Sequence, residues 1–356
     1  MWLDELHIEN CRVIEIADLS LSNKANFIIG DNGAGKTSVI EALSILSQGR
    51  SFRTTKIKEL INHESTNILV RASGRNVNGL ELNMGIERNP ESSRIRINKQ
   101  SIRTQAALSK HLPVSIIHPL SQDLILGGAT NRRRYLDWLS FYLHDDFYDL
   151  WRRYQALLKQ RNAALKDPRY YFSLETLTEQ ISSIQPELFS RRQFSLSKLK
   201  ESIEEISPAF LKDLNPILSI KEGLPINEHS SADDIYDFYI ENVHKEKERR
   251  RTLYGYHLGD LSIKHNDFLV SSTGSRGQIR LITILLILAQ NNAIPGNNII
   301  AFDDLSAELD ITNQKNLLSF LYDMNAQLII TATSDGLVSN QLPDANMFHV
   351  KHGVIT

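Results

Sequence analysis

Phe27-Ile28-Ile29-Gly30-Asp31-Asn32-Gly33-Ala34-Gly35-Lys36-Thr37-Ser38 decides how the chain is read. An apolar run leads into Gly-x-x-x-x-Gly-Lys-Thr, and a helix from about Lys36 to Leu46 follows. That strand–loop–helix order marks a phosphate-binding P-loop. Glycines at 30, 33 and 35 let the backbone turn tightly and aim several N–H groups at phosphate oxygens. The helix start adds its partial positive charge. Asp31, Asn32, Ala34 and Ser38 complete the contact set. Lys36 is placed to reach β- and γ-phosphates, and the Thr37 hydroxyl to bind Mg²⁺. The expected ligand is a nucleoside triphosphate, ATP.

A second stretch fits the first. Ile299-Ile300-Ala301-Phe302 reads as a buried strand ending in Asp303-Asp304. A P-loop ATPase needs a carboxylate at the end of a neighbouring strand for its metal. Asp303 suits that role, and Asp304 is placed to orient or deprotonate an attacking water. Taken alone, two acids after an apolar run could also cap a helix.

The third stretch is Gly274-Ser275-Arg276-Gly277-Gln278, before an apolar helix. Ser275 is a sensible N-cap. The same helix start also exposes N–H groups and a hydroxyl as a second anion site. Ser275, Gly277 and Gln278 could then serve the nucleotide of a second copy, giving a head-to-tail pair with two ATP molecules between the subunits. Ser306-Ala307-Glu308-Leu309-Asp310 would lie at the same interface, with Asp310 as a contact.

Around these motifs the chain divides in three. Residues 1–130 carry short β-like runs: Leu3–Ile8, Ala25–Ile29, Ile68–Ala72, Leu80–Ile86, Arg94–Ile97 and Pro113–His118. Several alternate apolar with polar residues, as half-exposed antiparallel strands do. Residues 131–251 are helical, with stretches Arg132–Lys166, Leu174–Ile206 bent at Pro186, and Ala232–Arg251; Pro208–Asn227 reads as irregular. Residues 252–356 return to α/β character, with strands near Asp267–Val270, Ile299–Phe302 and Leu328–Thr331, helices Arg276–Gln290 and Asn313–Met324, and a hairpin-like Met347–Ile355. The simplest assembly is a discontinuous α/β domain, 1–130 plus 252–356, flanking a helical insertion.

Composition narrows the compartment and the partner. A single cysteine, Cys11, excludes an internal disulfide and points to a reducing cytoplasm. Asp4, Glu5 and Glu9 interrupt the amino-terminal apolar residues, unlike a signal peptide. The longest apolar run, Leu281–Ala289 with Thr283 inside it, is too short to span a bilayer. Net charge is only -2, yet residues 50–110 hold 12 Lys and Arg against 5 Asp and Glu. That local excess, with Arg50, Arg53, Lys56 and Lys58 as candidate contacts, can attract a polyanion such as DNA. It could equally be a solvated sheet surface.

The order of P-loop, Ser-x-Gly-Gln helix start, Asp-Asp strand end and Ser-x-x-Leu-Asp loop resembles an ABC-type ATPase head. The opening Leu3-x-x-Leu-His-Ile-Glu-Asn-Cys-Arg12 resembles the chromosome-maintenance and DNA-repair branch. Within that branch the chain is similar to the RecF family. Further matches are Gly49-Arg50-Ser51-Phe52-Arg53, Ile117-His118-Pro119, Gly127-Gly128, Arg132-Arg133-x-Tyr135-Leu136-Asp137 and Leu158–Leu165. The resemblance implies an ABC-type head with an inserted, mainly helical arm at 131–251. It implies a weak ATPase, an ATP-dependent DNA-binding protein of the cytoplasm that acts at gaps and single-strand/double-strand junctions. It also implies an ATP-dependent homodimer working with RecR and RecO to place RecA on single-stranded DNA. By the same matching Arg12 would lie near the base or ribose, and Gln122 would sense the metal and γ-phosphate.

Two departures stand out. The family commonly has Gly-Pro-His-Arg/Lys where this chain has Gly255-Tyr256-His257-Leu258. Transporter-type heads carry a switch histidine where this chain reads Thr331-Ala332-Thr333-Ser334. That difference and the amino-terminal pattern argue against a transporter energy-coupling head. An arm of about 120 residues is too short for a segregation head with long coiled coils. A P-loop kinase or GTPase would not explain the Ser275 helix start.

Overall fold

Fully buried strands and alternating strands separate into different sheets. The computed structural model describes residues 1–356 except 77, 211–213, 226–229, 297, 306–310 and 334–344, and the side chains of 209, 210 and 311. Two compact units result: Met1–Ser121 with Pro208–Lys212 and Ile284–Thr356, and Gln122–Ser207 with Asp213–Thr283.

The first unit begins with β1 (Trp2–Cys11), β2 (Ile14–Ser20), β3 (Ala25–Ile29) and α1 (Lys36–Gln48). β4 (Ile68–Arg75), β5 (Glu81–Arg88), β6 (Ser93–Ile97), β7 (Gln100–Ile102), α2 (Gln105–His111) and β8 (Val114–Ile117) follow. β1, β2 and β4–β7 form an antiparallel sheet in the order β2-β1-β4-β5-β6-β7. Alternation is clear on β4 and β5, whose even-spaced Ile68, Val70, Ala72 and Leu82, Met84, Ile86 are buried. Those side chains share one core with Val39, Ile40, Leu43 and Leu46 of α1. Nearly every residue of α1 is buried, so the helix that carries Lys36 and Thr37 is held as an internal strut.

In the second unit, α3 (Asp123–Leu126), α4 (Ala129–Leu143), α5 (Phe147–Lys166) and α6 (Leu174–Phe210) precede β9 (Ile217–Lys221) and α7 (Ala232–Arg249). β10 (Asp260–His265), β11 (Phe268–Leu269), α8 (Val270–Thr273) and the start of α9 (Arg276–Ala293) complete it. The long helix expected from Arg132 to Lys166 is broken at 144–146, and α6 continues through Pro186. The stretch read as irregular contains β9, which pairs with β10. That pairing, and a bidentate Arg132–Asp260 ion pair at 2.7 and 2.9 Å, groups residues 122–130 and 252–283 with the helices. The compact units therefore divide at 121/122 and 283/284, whereas the sequence suggested 130/131 and 251/252.

The Gly255-Tyr256-His257 departure has an internal role in this unit. Gly255 sits at φ 128°, and a Cβ there would come within 2.6–2.9 Å of the Tyr239 and Tyr154 hydroxyls and Gln185 Oε1. Tyr256 is buried under the Arg192 guanidinium, 3.3 Å from its ring centre. His257 Nδ1 lies 2.7 Å from the Tyr154 hydroxyl.

The chain returns to the first unit with β12 (Asn298–Phe302), α10 (Ile311–Asp323), β13 (Ala326–Ala332), β14 (Asn346–Lys351) and β15 (Val354–Ile355). These strands join β3 and β8 in the order β15-β14-β3-β13-β12-β8, parallel except for the terminal hairpin. β3, β12 and β13 are buried along their whole lengths, as parallel strands covered on both faces must be. No helix of the described residues is long and apolar enough to cross a membrane.

Candidate nucleotide site

β3 ends at Ile29, and the chain turns through Gly30–Gly35 into α1. Gly30 admits no side chain, because a Cβ would lie 2.3 Å from the Val350 carbonyl oxygen. Gly33 and Gly35 take φ values of 81° and 120°, a region that favours glycine. A Cβ at Gly33 would meet nothing within 4 Å, so that side of the loop faces open space. Gly353 N–H donates to the Ala34 carbonyl at 2.8 Å, bracing the loop from the terminal hairpin. The start of α1 has no side-chain cap and no acidic residue in its first turn, which suits an anion.

Lys36 is buried, and its Nζ donates to the carbonyls of Gly30 at 2.7 Å and Asp31 at 2.9 Å. The ammonium is thereby held inside the loop's own curve. One residue on, the Thr37 hydroxyl donates to Asp303, 2.9 Å from Oδ1 and 3.2 Å from Oδ2. Two residues 266 positions apart in sequence thus meet, because β13 alone separates β3 from β12. Burial pushes the Asp303 carboxyl above the usual range, and the hydroxyls of Thr37 and Thr331 offset this only in part. Thr37 and Asp303 offer oxygen donors only, the chemistry Mg²⁺ selects. No group of three or more His, Cys, Asp or Glu that could cage a metal occurs among the described residues. Mg²⁺ usually binds through one or two carboxylates plus phosphate oxygens, so this donor set fits it.

Asp304 follows in the left-handed region at φ 59°, half-buried, its N–H donating to Thr331 Oγ1 at 2.8 Å. Aspartate tolerates that conformation better than most residues. Thr331 Oγ1 also donates to Asp303 Oδ1 at 3.1 Å. In sequence Thr331 marks only the end of the strand Leu328–Thr331 and the place of a missing histidine.

Arg12 lies in the turn between β1 and β2 at φ 56°. Its Nε and Nη2 form a fork on the Glu41 carboxylate at 3.0 and 2.9 Å, and Nη1 donates to the Glu59 carbonyl. Glu41 belongs to α1 and is fully buried. It also accepts from the Ser51 hydroxyl at 2.6 Å, and Arg53 Nη1 lies 3.9 Å away. The expected role of Arg12 at the base or ribose is therefore joined by a structural one. Glu41 was missed; its only signal was one acid inside the apolar stretch Val39–Leu46. Arg50, Arg53, Lys56 and Lys58 are all exposed beyond the Gly49 cap of α1. Lys56 pairs with Glu59 at 3.2 Å.

Ser275 and Gln278, in the second unit, cap each other. Ser275 N–H donates to Gln278 Oε1 at 2.9 Å, and Gln278 N–H to Ser275 Oγ at 3.3 Å. This is the reciprocal capping-box arrangement. A Cβ at Gly277 would meet nothing within 4 Å, leaving the helix start open to approach. Gln122 is half-buried in the same unit, and Asp310 lies outside the described residues.

Residues 2–356 match the family described as RecF/RecN/SMC N terminal domain. The chain is 32% identical to the DNA replication and repair protein RecF of Vibrio campbellii over 362 residues, covering all of both. Against the protein of that name from Vibrio parahaemolyticus it is 33% identical, covering all of this chain and 99% of the relative. Its fold matches a solved structure of the recombination mediator protein RecF with ATP in the RecFOR pathway, at a TM-score of 0.87 and 22% identity, covering 100% of this chain and 97% of that one. The Smc head domain of Pyrococcus furiosus matches at a TM-score of 0.60 and 16% identity, covering 100% of this chain and 95% of that one. The fold is thus the ABC-type P-loop ATPase head shared by RecF and Smc proteins. Full-length identity above 30% with RecF proteins goes further than shape: the chain belongs to the RecF family of the RecF/RecN/SMC group.

Proposed function

We propose that the chain is an ATP-dependent DNA-binding recombination mediator acting at gaps and single-strand/double-strand junctions. ATP closes a homodimer around DNA, slow hydrolysis reopens it, and with RecO and RecR the protein promotes RecA loading in the cytoplasm. The names of its relatives, a replication and repair protein and a recombination mediator, support this reading. The observation that carries the ATPase half is the meeting of Thr37, next to the loop-held Lys36, with Asp303 at the end of β12, one strand removed from β3 in the parallel sheet.

In this reading the loop N–H groups and Lys36 hold the β- and γ-phosphates. Mg²⁺, held by Thr37 and Asp303, would neutralise charge developing on the phosphate oxygens. Asp304 orients or deprotonates the attacking water, and Gln122 responds to the γ-phosphate. Arg12 borders the base or ribose. Ser275, Gly277, Gln278 and Asp310 complete the site of a second copy. Arg50, Arg53, Lys56 and Lys58 neutralise DNA phosphates, so affinity falls steeply with salt and ignores base sequence.

The test is gel-shift titration on gapped, blunt and single-stranded DNA, with and without ATP, for the wild type and Lys36→Ala. ATP should strengthen binding to gapped DNA in the wild type and do nothing in the variant. ATP turnover with DNA binding indifferent to ATP and to salt would instead favour an ATPase head of another ABC class.

A further inference from the structure

Strand β13 lies between the P-loop strand β3 and the Asp-Asp strand β12. In register, Thr331 stands opposite Ile28, and Ile330 opposite Phe302. Thr331 is therefore the residue of the central strand level with the ends of both functional strands. It is fully buried, and three of its atoms' bonds go to the Asp303–Leu305 turn. Its hydroxyl proton goes to Asp303 Oδ1 at 3.1 Å, and a lone pair of the same oxygen takes the Asp304 N–H at 2.8 Å. Its carbonyl accepts from Leu305 N–H at 3.3 Å.

One hydroxyl thus addresses both aspartates in different ways. By donating to Oδ1 it fixes the rotation of the Asp303 carboxylate, which Thr37 also touches at that oxygen. By accepting from the Asp304 amide it holds the turn in which Asp304 takes its left-handed φ of 59°, and so fixes where that side chain leaves the backbone. Together with the Leu305–Thr331 carbonyl bond, it holds Asp304 in a sparsely populated conformation that needs surrounding contacts to persist.

We propose that Thr331 is a positioning residue of the ATPase site, orienting the carboxylate of Asp303 for the metal and the backbone of Asp304 for the attacking water. The inference rests on the ATPase reading above. It occupies the stretch where transporter heads place their histidine, and it acts on the strand-end acids through hydrogen bonds to them.

The experiment compares wild type, Thr331→Val, Thr331→Ala and Thr331→Ser, all as the full chain with gapped DNA present. Three quantities are read: nucleotide binding without divalent ion, the Mg²⁺ concentration that half-saturates tightening of a fluorescent ATP analogue, and kcat against KM. Thr331→Val keeps the shape and removes the hydroxyl. It should bind nucleotide without Mg²⁺ within about twofold of wild type, need several-fold more Mg²⁺, and lose about ten- to a hundredfold in kcat with little change in KM. Thr331→Ser restores the hydroxyl and should recover most of both losses. Thr331→Ala carries the same expectation as Thr331→Val if the valine variant is insoluble. Wild-type Mg²⁺ response and kcat in Thr331→Val or Thr331→Ala overturn the inference, as does a serine variant no better than valine. A wild type that neither binds nor hydrolyses ATP overturns the ATPase reading itself and the inference with it.

Discussion

Replacing Arg12 with alanine is expected to lower stability by about 2–4 kcal/mol. The magnitude follows from what the change leaves behind. The Glu41 carboxylate has 0% exposure and accepts two charge-assisted bonds from Arg12, at 3.0 and 2.9 Å. Stripping one partner from a buried ion pair typically costs ~3–5 kcal/mol, because the remaining charge is orphaned. Two features reduce that figure here. Arg12 is itself 28% exposed, and Arg53 stands only 3.9 Å from the same carboxylate and can close on it. Urea unfolding followed by circular dichroism should shift its midpoint down by on the order of 1 M. Arg12→Lys should fall between, since an ammonium cannot reproduce the fork. The double variant Arg12→Ala/Glu41→Gln should recover part of the loss, because no buried charge is then left alone. A single variant within ~0.5 kcal/mol of wild type, as for an ordinary surface change, would refute the reasoning. Unchanged stability combined with lost ATP binding would assign Arg12 to the nucleotide alone.

Two further outcomes follow from the geometry. Burial lowers the His257 pKa from 6.5 to about 4, so the neutral ring contributes stability that is full above pH 6.5 and drains as pH falls toward 4. His257→Gln should flatten the acid limb of the stability–pH curve, which for wild type drops by up to about 3 kcal/mol in that window; an unchanged slope in urea titrations across pH 4–7 would contradict this. Gly30→Ala, which drives a Cβ to 2.3 Å from the Val350 carbonyl, should cost about 1–3 kcal/mol and weaken nucleotide binding, whereas at Gly33→Ala the added methyl meets open space and only the strain of alanine at φ 81° remains. Equal thermal midpoints for Gly30→Ala and wild type would show that the loop can yield.

What could be read from the sequence was local. The run Ala25–Ile29 into Gly30–Thr37, and Ile299–Phe302 into the two aspartates, stood out because a parallel strand buried on both faces is an uninterrupted apolar run. β9 went unread because proline-flanked Ile217–Lys221 gains its strand character from β10, about forty residues later. The break at His144–Asp146 was hidden because no proline or glycine marks it. Conversely, Pro186 sits inside α6, where burial of Ile181, Ile184, Leu188 and Phe189 outweighs the lost amide. In the site, Lys36, Thr37 and Asp303 were legible from motif chemistry. Glu41 and Thr331 were not, because each owes its role to partners about thirty positions away, Arg12 and Asp303 respectively.

The terminal hairpin has a bearing on how the chain is made. Gly353 clasps the Ala34 carbonyl, and the Val350 carbonyl abuts Gly30, so the loop near residue 30 is finished by residues more than three hundred positions later. At ~5–20 residues per second, a ribosome spends roughly 15–60 s between the two. For nearly all of that interval β3 lacks both of its sheet neighbours, β13 and β14, which follow it by about three hundred residues. The nascent chain therefore carries an apolar strand with two bare edges, a template for wrong pairing until β13 and β14 have been made.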